Sequence, residues 1–113
     1  MKVDTQLDGK VLKVVLEGEI DMSSSGSVWD AVAPFIEGKK PKAKACVVDL
    51  SQVSYMDSSG IATLVRAWQT SQKNGGKLRL ASLSDSVKDV FELAHVNEIF
   101  DIFPSVDEAL ADL

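Results

Sequence analysis

The residues that most constrain this chain are Ala45-Cys46-Val47-Val48-Asp49-Leu50 and the change of period that follows them. A nearly continuous apolar run rich in β-branched side chains reads as a central strand covered on both faces. Ser51-Gln52-Val53-Ser54-Tyr55-Met56 leads from it into Asp57-Ser58-Ser59-Gly60. From Ser58 onward Ile61, Leu64, Val65 and Trp68 recur at the spacing of an amphipathic helix, with Arg66, Gln69 and Thr70 on the other side. Asn74-Gly75-Gly76 closes that helix with the glycines expected after a C-terminus. A buried strand passing straight into an amphipathic helix calls for a sheet with helices packed on it.

The flanking sequence extends this pattern. Residues 3–7 and 11–17 read as two strands, and Asp8-Gly9 between them is a hairpin signal, so an antiparallel opening pair is expected. Gly18-Glu19-Ile20-Asp21 ends that unit, and the polar, flexible run Ser23–Ser27 precedes a helix carrying Val28, Val32, Phe35 and Ile36. Pro34 falls inside it and marks a kink or an early break. Lys77-Leu78-Arg79-Leu80-Ala81 alternates as a strand does. Ser84 is a candidate N-cap, with Asp85 in the first turn, for a helix bearing Val87, Val90, Phe91 and Ala94. Ile99 to Phe103 is a short strand, and Ser105-Val106-Asp107-Glu108 forms a capping box before Ala109, Leu110 and Leu113. The order is ββαβαβαβα: an α/β fold, one domain over residues 1–113, with a mixed sheet of about five strands and four covering helices.

Composition narrows the function classes. With 113 residues, 45% apolar and 26% charged, the chain has enough material for one core. A net charge of −5 argues against a nucleic-acid partner and gives no general attraction to anionic membranes. No apolar stretch approaches the ~20 residues that span a bilayer, and Met1–Thr5 carries no hydrophobic signal region, so a cytoplasmic location is expected. The lone cysteine, Cys46, sits in the apolar run and reads as a buried, inert thiol. The lone histidine, His95, has no second His or Cys at ligand spacing; it reads as a cation at a helix C-terminus or as a surface residue, and no metal or cofactor is implied. Gly38–Lys44 holds four of the twelve basic residues, as a solvated loop or a docking patch for an acidic partner. No large exposed apolar patch is evident, and a monomer is the expectation.

Attention therefore falls on Asp57-Ser58-Ser59-Gly60. At a helix start the backbone N–H groups are unpaired and the dipole is positive, which suits a phosphate. Asp57 or Ser58 equally suits a helix cap. Gly60 in the first turn costs about 1 kcal/mol against alanine, and leaving the serines open to another protein's active site would account for it. A serine hydrolase is the enzymatic alternative, but Gly-x-Ser-x-Gly is missing around Ser58 and His95 would have to reach it from another helix.

Taken together, Gly18-Glu19-Ile20-Asp21, the block from Val47 through Gly60, and Asn74-Gly75-Gly76 with Leu78-Arg79-Leu80 resemble a STAS domain, close to the bacterial anti-sigma factor antagonists. The resemblance runs over nearly the whole length. It implies a binding module rather than an enzyme: its partner is an anti-sigma factor that is also a serine kinase, and binding frees a sigma factor. It further implies that the kinase phosphorylates Ser58, that a metal-dependent serine phosphatase reverses this, and that Asp21 lies in the loop beside the phosphorylation site. Asp57, Ser59 and Gly60 complete the expected surroundings. Asp21 also reads as a capping or loop-solvating carboxylate, and Trp29 and Trp68 as core or as interface anchors. The competing binding role is a STAS subunit regulating the ATPase of a lipid-transport ABC system.

Overall fold

The computed structural model describes residues 1–113. Its elements are β1 (Lys2–Asp8), β2 (Val11–Ile20), α1 (Ser25–Ile36), β3 (Ala45–Met56), α2 (Ser58–Lys73), β4 (Lys77–Ala81), α3 (Asp85–Leu93), β5 (Asp101–Phe103) and α4 (Val106–Leu110). This is the expected mixed α/β order. The strands form one sheet in sequence order, β1 antiparallel to β2 and every later pair parallel.

Alternation along each strand sorts its side chains onto two faces. Leu12, Val14 and Leu16 of β2, Cys46, Val48 and Leu50 of β3, and Leu78 and Leu80 of β4 join one core with Val28, Val32 and Ile36 of α1, Ile61, Leu64 and Ala67 of α2, and Val87 and Phe91 of α3. On the opposite face Val47 and Ala81 meet Ala109 of α4, with Phe103, Val106 and Leu110 around them. The central strand is thus covered on both sides at Val47 and Val48, as its composition required.

Arg79 alternates onto this second face, yet it is buried there. Its guanidinium donates to the Ala109 carbonyl at 2.9 Å and to Asp112 at 2.5 Å, and lies 5.1 Å from the centre of the Phe103 ring. The hydrogen bond from Arg79 holds the Asp112 carboxyl below the usual aspartate range. The pair straps the C-terminal segment to β4.

Several boundaries differ from those read in the sequence. The first hairpin turns at Gly9-Lys10 rather than Asp8-Gly9, because Asp8 still pairs with Val11. Gly9 takes φ +63°, the sign a first turn position demands of a tight hairpin. Pro34 does not break α1: only Phe35, Ile36 and the cap at Glu37 follow it, and the Glu37 N–H still reaches the Ala33 carbonyl at 3.0 Å. β5 begins at Asp101 rather than Ile99, because Ile99 closes a turn onto Val96 and Phe100 is drawn into the core.

The largest difference is β3, which continues through the polar residues 51–56 to Met56. Val53 and Met56 are buried there while Ser51, Gln52, Ser54 and Tyr55 face solvent, and β2 runs beside them as far as Ile20. The pairing slips twice. Val15 faces Asp49 but Glu17 faces Gln52, and Gly18 faces Val53 but Glu19 faces Tyr55, so β3 spends two more residues than β2 over this stretch.

Candidate functional site

β2 and β3 end level with each other: Ile20 pairs with Met56, and the Asp57 N–H donates to the Ile20 carbonyl at 3.1 Å. The loops leaving these two strands therefore emerge side by side at their C-terminal ends, where open parallel sheets place their binding sites. Asp21 leads one loop and Asp57 the other.

Asp57 is the N-cap of α2, with extended backbone and a side chain turned back over the first turn. Its Oδ1 accepts the Ser59 N–H at 2.9 Å and the Ser59 hydroxyl at 2.5 Å, while its carbonyl accepts from Gly60 and Ile61 at 3.1 and 3.2 Å. The capping reading of the Asp-Ser-Ser-Gly block therefore holds, with Asp57 rather than Ser58 as the cap. Much of the expected anion seat is already occupied by this carboxylate and carbonyl.

That division separates the two serines. Ser59 is committed to Asp57. Ser58, the first helical residue, is exposed, and its hydroxyl makes no hydrogen bond. It has no histidine partner: His95 lies beyond α3 rather than within it, in a left-handed turn at φ +57°, among Asp89, Glu92 and Leu93. No group of three His, Cys, Asp or Glu side chains is placed to hold a metal ion.

Gly60 answers a different need from the one its sequence context suggests. It is buried, and a Cβ there would stand 2.7 Å from Ile20 Cγ2 and from Met56 Cγ. Its missing side chain lets the start of α2 sit directly on the ends of β2 and β3. It opens no approach to Ser58; it sets how closely the helix bearing Ser58 docks on the sheet.

Asp21 repeats the device of Asp57. Its Oδ1 accepts the Ser23 hydroxyl at 2.6 Å, the Ser23 N–H at 2.9 Å and the Ser24 hydroxyl at 3.3 Å. The Ser23 bonds hold the carboxyl below the ordinary aspartate value, so it is anionic at neutral pH. The serine run is not loose at its centre: the Ser24 hydroxyl is buried, donates to the Glu19 carbonyl at 2.8 Å and accepts the Asp21 N–H at 3.0 Å.

Sequence reasoning missed two neighbours. Met22, between Asp21 and Ser23, is 85% exposed, a large apolar side chain held out by the loop. Arg66, read as plain solvent-facing polarity, lies over Trp29 at 3.7 Å from the ring centre and joins α1 to α2. Trp29 and Trp68 are both half-buried; Trp68 meets Phe100 edge-on at 6.5 Å. An apolar residue amid polar ones and an Arg–Trp pair across two helices leave no short-range sequence signal.

The basic loop is anchored by buried Pro41 and Ala43, with Lys39, Lys40, Lys42 and Lys44 exposed around them. The burial expected of Cys46 holds, and desolvation pushes its thiol up to about 12. No helix is long and apolar enough to cross a membrane.

Relatives and solved structures agree on the fold. The anti-sigma-B factor antagonist of Bacillus subtilis is 30% identical over 90% of each chain, and that of Staphylococcus aureus is 27% identical over 87% of this chain and 94% of its own. Among solved structures, an anti-sigma factor antagonist from Mycobacterium paratuberculosis superposes with a TM-score of 0.84 at 24% identity, covering 97% of this chain and 91% of its own. The unphosphorylated form of the anti-sigma factor antagonist SpoIIAA superposes at 0.82 with 17% identity, covering 96% and 93%. The STAS domain family matches residues 2–109, and with the sheet, helix order and relatives in agreement, the chain belongs to the STAS domain family.

Proposed function

We propose that this chain is a binding module of the anti-sigma factor antagonist type, switched by phosphorylation of Ser58. The observation that carries the reading is the division of labour at the start of α2: Asp57 engages Ser59 and leaves the Ser58 hydroxyl exposed and unbonded. A kinase needs a hydroxyl it can reach. The names of the relatives support the class of partner, and SpoIIAA has been solved in a phosphorylated form as well.

In this reading the unphosphorylated surface around Ser58, Asp21 and Asp57 docks on an anti-sigma factor that is itself a serine kinase, and docking releases a sigma factor. Phosphorylation adds about −1.5 to −2 charges and three acceptor oxygens. At the N-terminus of α2 this is locally favourable by about 0.3–1 kcal/mol, so the fold is retained. At an interface that already holds Asp21 and Asp57, the added charge is repelled and poorly desolvated, and affinity falls on the order of 100-fold or more. A metal-dependent serine phosphatase resets the switch. The chain acts as substrate and binder, not as enzyme, and works in the cytoplasm.

The test is capture of the partner kinase by the wild-type chain, phosphopeptide mapping after incubation with ATP, and titration of Ser58→Ala and Ser58→Asp. Ser58→Ala should bind as the unmodified chain does and take up no phosphate; Ser58→Asp should bind weakly. Phosphate on Ser59 alone, or equal affinity of wild type, Ser58→Asp and phosphorylated protein, would sink the proposal. A permease–ATPase complex as the captured partner would move the chain to the transport role.

A further inference from the structure

We propose that β1 joins a second copy of this chain along its free edge, as an antiparallel pair related by a two-fold axis through Thr5. β1 is the outer strand of the sheet and is hydrogen-bonded on one side only, to β2. Its register with β2 is unbroken from Lys2 to Asp8, and it contains no proline. Such a strand offers main-chain donors and acceptors to another strand unless something defends it, and bulges and proline are the usual defences. Charged residues are another, and among the registers that overlap most of the strand their order favours one; centring on Val3 would pair only residues 2–4 of β1.

A second strand must keep the pleat, so Val3, Thr5 and Leu7 must meet residues of their own face. Centring the pair on Asp4 sets Asp4 against its own copy. Centring it on Gln6 sets Asp4 against Asp8. Centring it on Thr5 sets Lys2 against Asp8, Val3 against Leu7, Asp4 against Gln6 and Thr5 against itself, with no like charges directly opposed. By symmetry each contact is made twice. Lys2 is free to change partner: its contact with Asp4 is 3.9 Å long and both side chains are about two-thirds exposed. Val3 already packs against the core, and Leu7, 39% exposed, gains an apolar neighbour.

A strand edge associates through main-chain hydrogen bonds and needs no large apolar patch, so the patch-based expectation of a monomer does not bear on it. One strand pair covers less surface than the ~800 Å² per partner of a standard interface, which makes the dimer a weak, concentration-dependent one. The pairing would run the sheets of both copies together. Because the copies are antiparallel, the Ser58 ends would face opposite ends of the joint sheet, and each could hold its own partner.

Sedimentation equilibrium over rising concentration should show monomer and dimer. Lys2→Asp and Asp8→Lys, each with unchanged circular dichroism, should weaken the dimer on the order of tenfold, and combining them should restore it, because the double variant merely exchanges the charges. Under mild oxidation Thr5→Cys should cross-link on the order of tenfold faster than Asp4→Cys or Gln6→Cys, since only residue 5 faces its own copy. A chain that stays monomeric at every concentration, a double variant no better than the single ones, or equal cross-linking at the three positions would each overturn the proposal.

Discussion

Replacing Gly60 with alanine tests whether close docking of α2 on the sheet holds the site in place. The added Cβ would stand 2.7 Å from Ile20 Cγ2 and Met56 Cγ and 3.2 Å from Ile20 Cβ. Carbon atoms in contact prefer ~3.5–4.0 Å, so the helix start or both side chains must move by nearly 1 Å. Ile20 and Met56 are each 1% exposed, so neither can yield by swinging into solvent without leaving the core. Overpacking of this kind costs about 1–3 kcal/mol, and the better helix propensity of alanine offsets up to about 1 kcal/mol. The net expectation is a loss of about 1–2 kcal/mol, or a fall in Tm of about 5–10 °C for a domain of this size. Urea unfolding followed by tryptophan fluorescence should show a lower midpoint with an unchanged m-value. Ser58→Ala is the control: with no hydrogen bond to lose, it should stay within about 0.5 kcal/mol of wild type. A Gly60→Ala variant as stable as the wild type would refute the packing argument and return Gly60 to the role of clearing an approach to the serines.

Other outcomes follow from the same contacts. Asp57→Ala should cost about 1 kcal/mol through the lost cap and should free the Ser59 hydroxyl, so a kinase that modified only Ser58 should begin to modify Ser59. Arg79→Met leaves Asp112 exposed to water but strips the buried Ala109 carbonyl of its donor, and should cost about 1–3 kcal/mol; Asp112→Asn leaves a buried guanidinium without its counter-charge and should also destabilise, and thermal melts at pH 7 measure both. Asp112 and Asp21 both have lowered values in the folded state, so their contribution is full above the ordinary aspartate value of 3.8 and is lost as pH falls through the lower folded values; Asp112→Asn should flatten the acid limb of the stability profile. At pH 8 Cys46, with its thiol raised to about 12, should react with an alkylating agent on the order of a thousandfold more slowly in the native chain than in urea.

The elements that carry an apolar period were legible in the sequence. Leu64 and Val87 sit on the face that their helical spacing assigned, Val47 and Val48 are buried on opposite faces of β3 as its continuous apolar run required, and the caps at Ser84 and Ser105 accept from Val87 and Glu108 as their motifs promised. What failed to show was fixed by neighbours far away in sequence. The polar half of β3 is a strand because β2 lies beside it; Arg79 is buried because Asp112 and Ala109 come back to meet it. At the site, the Asp-Ser-Ser-Gly block announced its location, but the separate fates of Ser58 and Ser59, and the inward purpose of Gly60, depend on hydrogen bonds and clearances that no local pattern states.

The two slips between β2 and β3 have a consequence for how this chain tolerates insertion and deletion. With the pairing of Val15 to Asp49 continued unbroken, Ile20 would face Ser54, and Asp21 would stand beside Tyr55 rather than Asp57. Removing one surplus residue of β3 straightens one slip, and the later residues keep their partners on β2. Removing both, one of residues 50 and 51 together with residue 54, leaves a regular ladder in which Ile20 still meets Met56 and Asp21 still stands beside Asp57. Removing two residues from β2 instead would keep the alternation of its faces but leave Asp21 beside Tyr55, about 6.6 Å short of Asp57. The alignment of the site is therefore stored as a length difference between two neighbouring strands: β3 can give up its surplus at the slips, while β2 has none to lose.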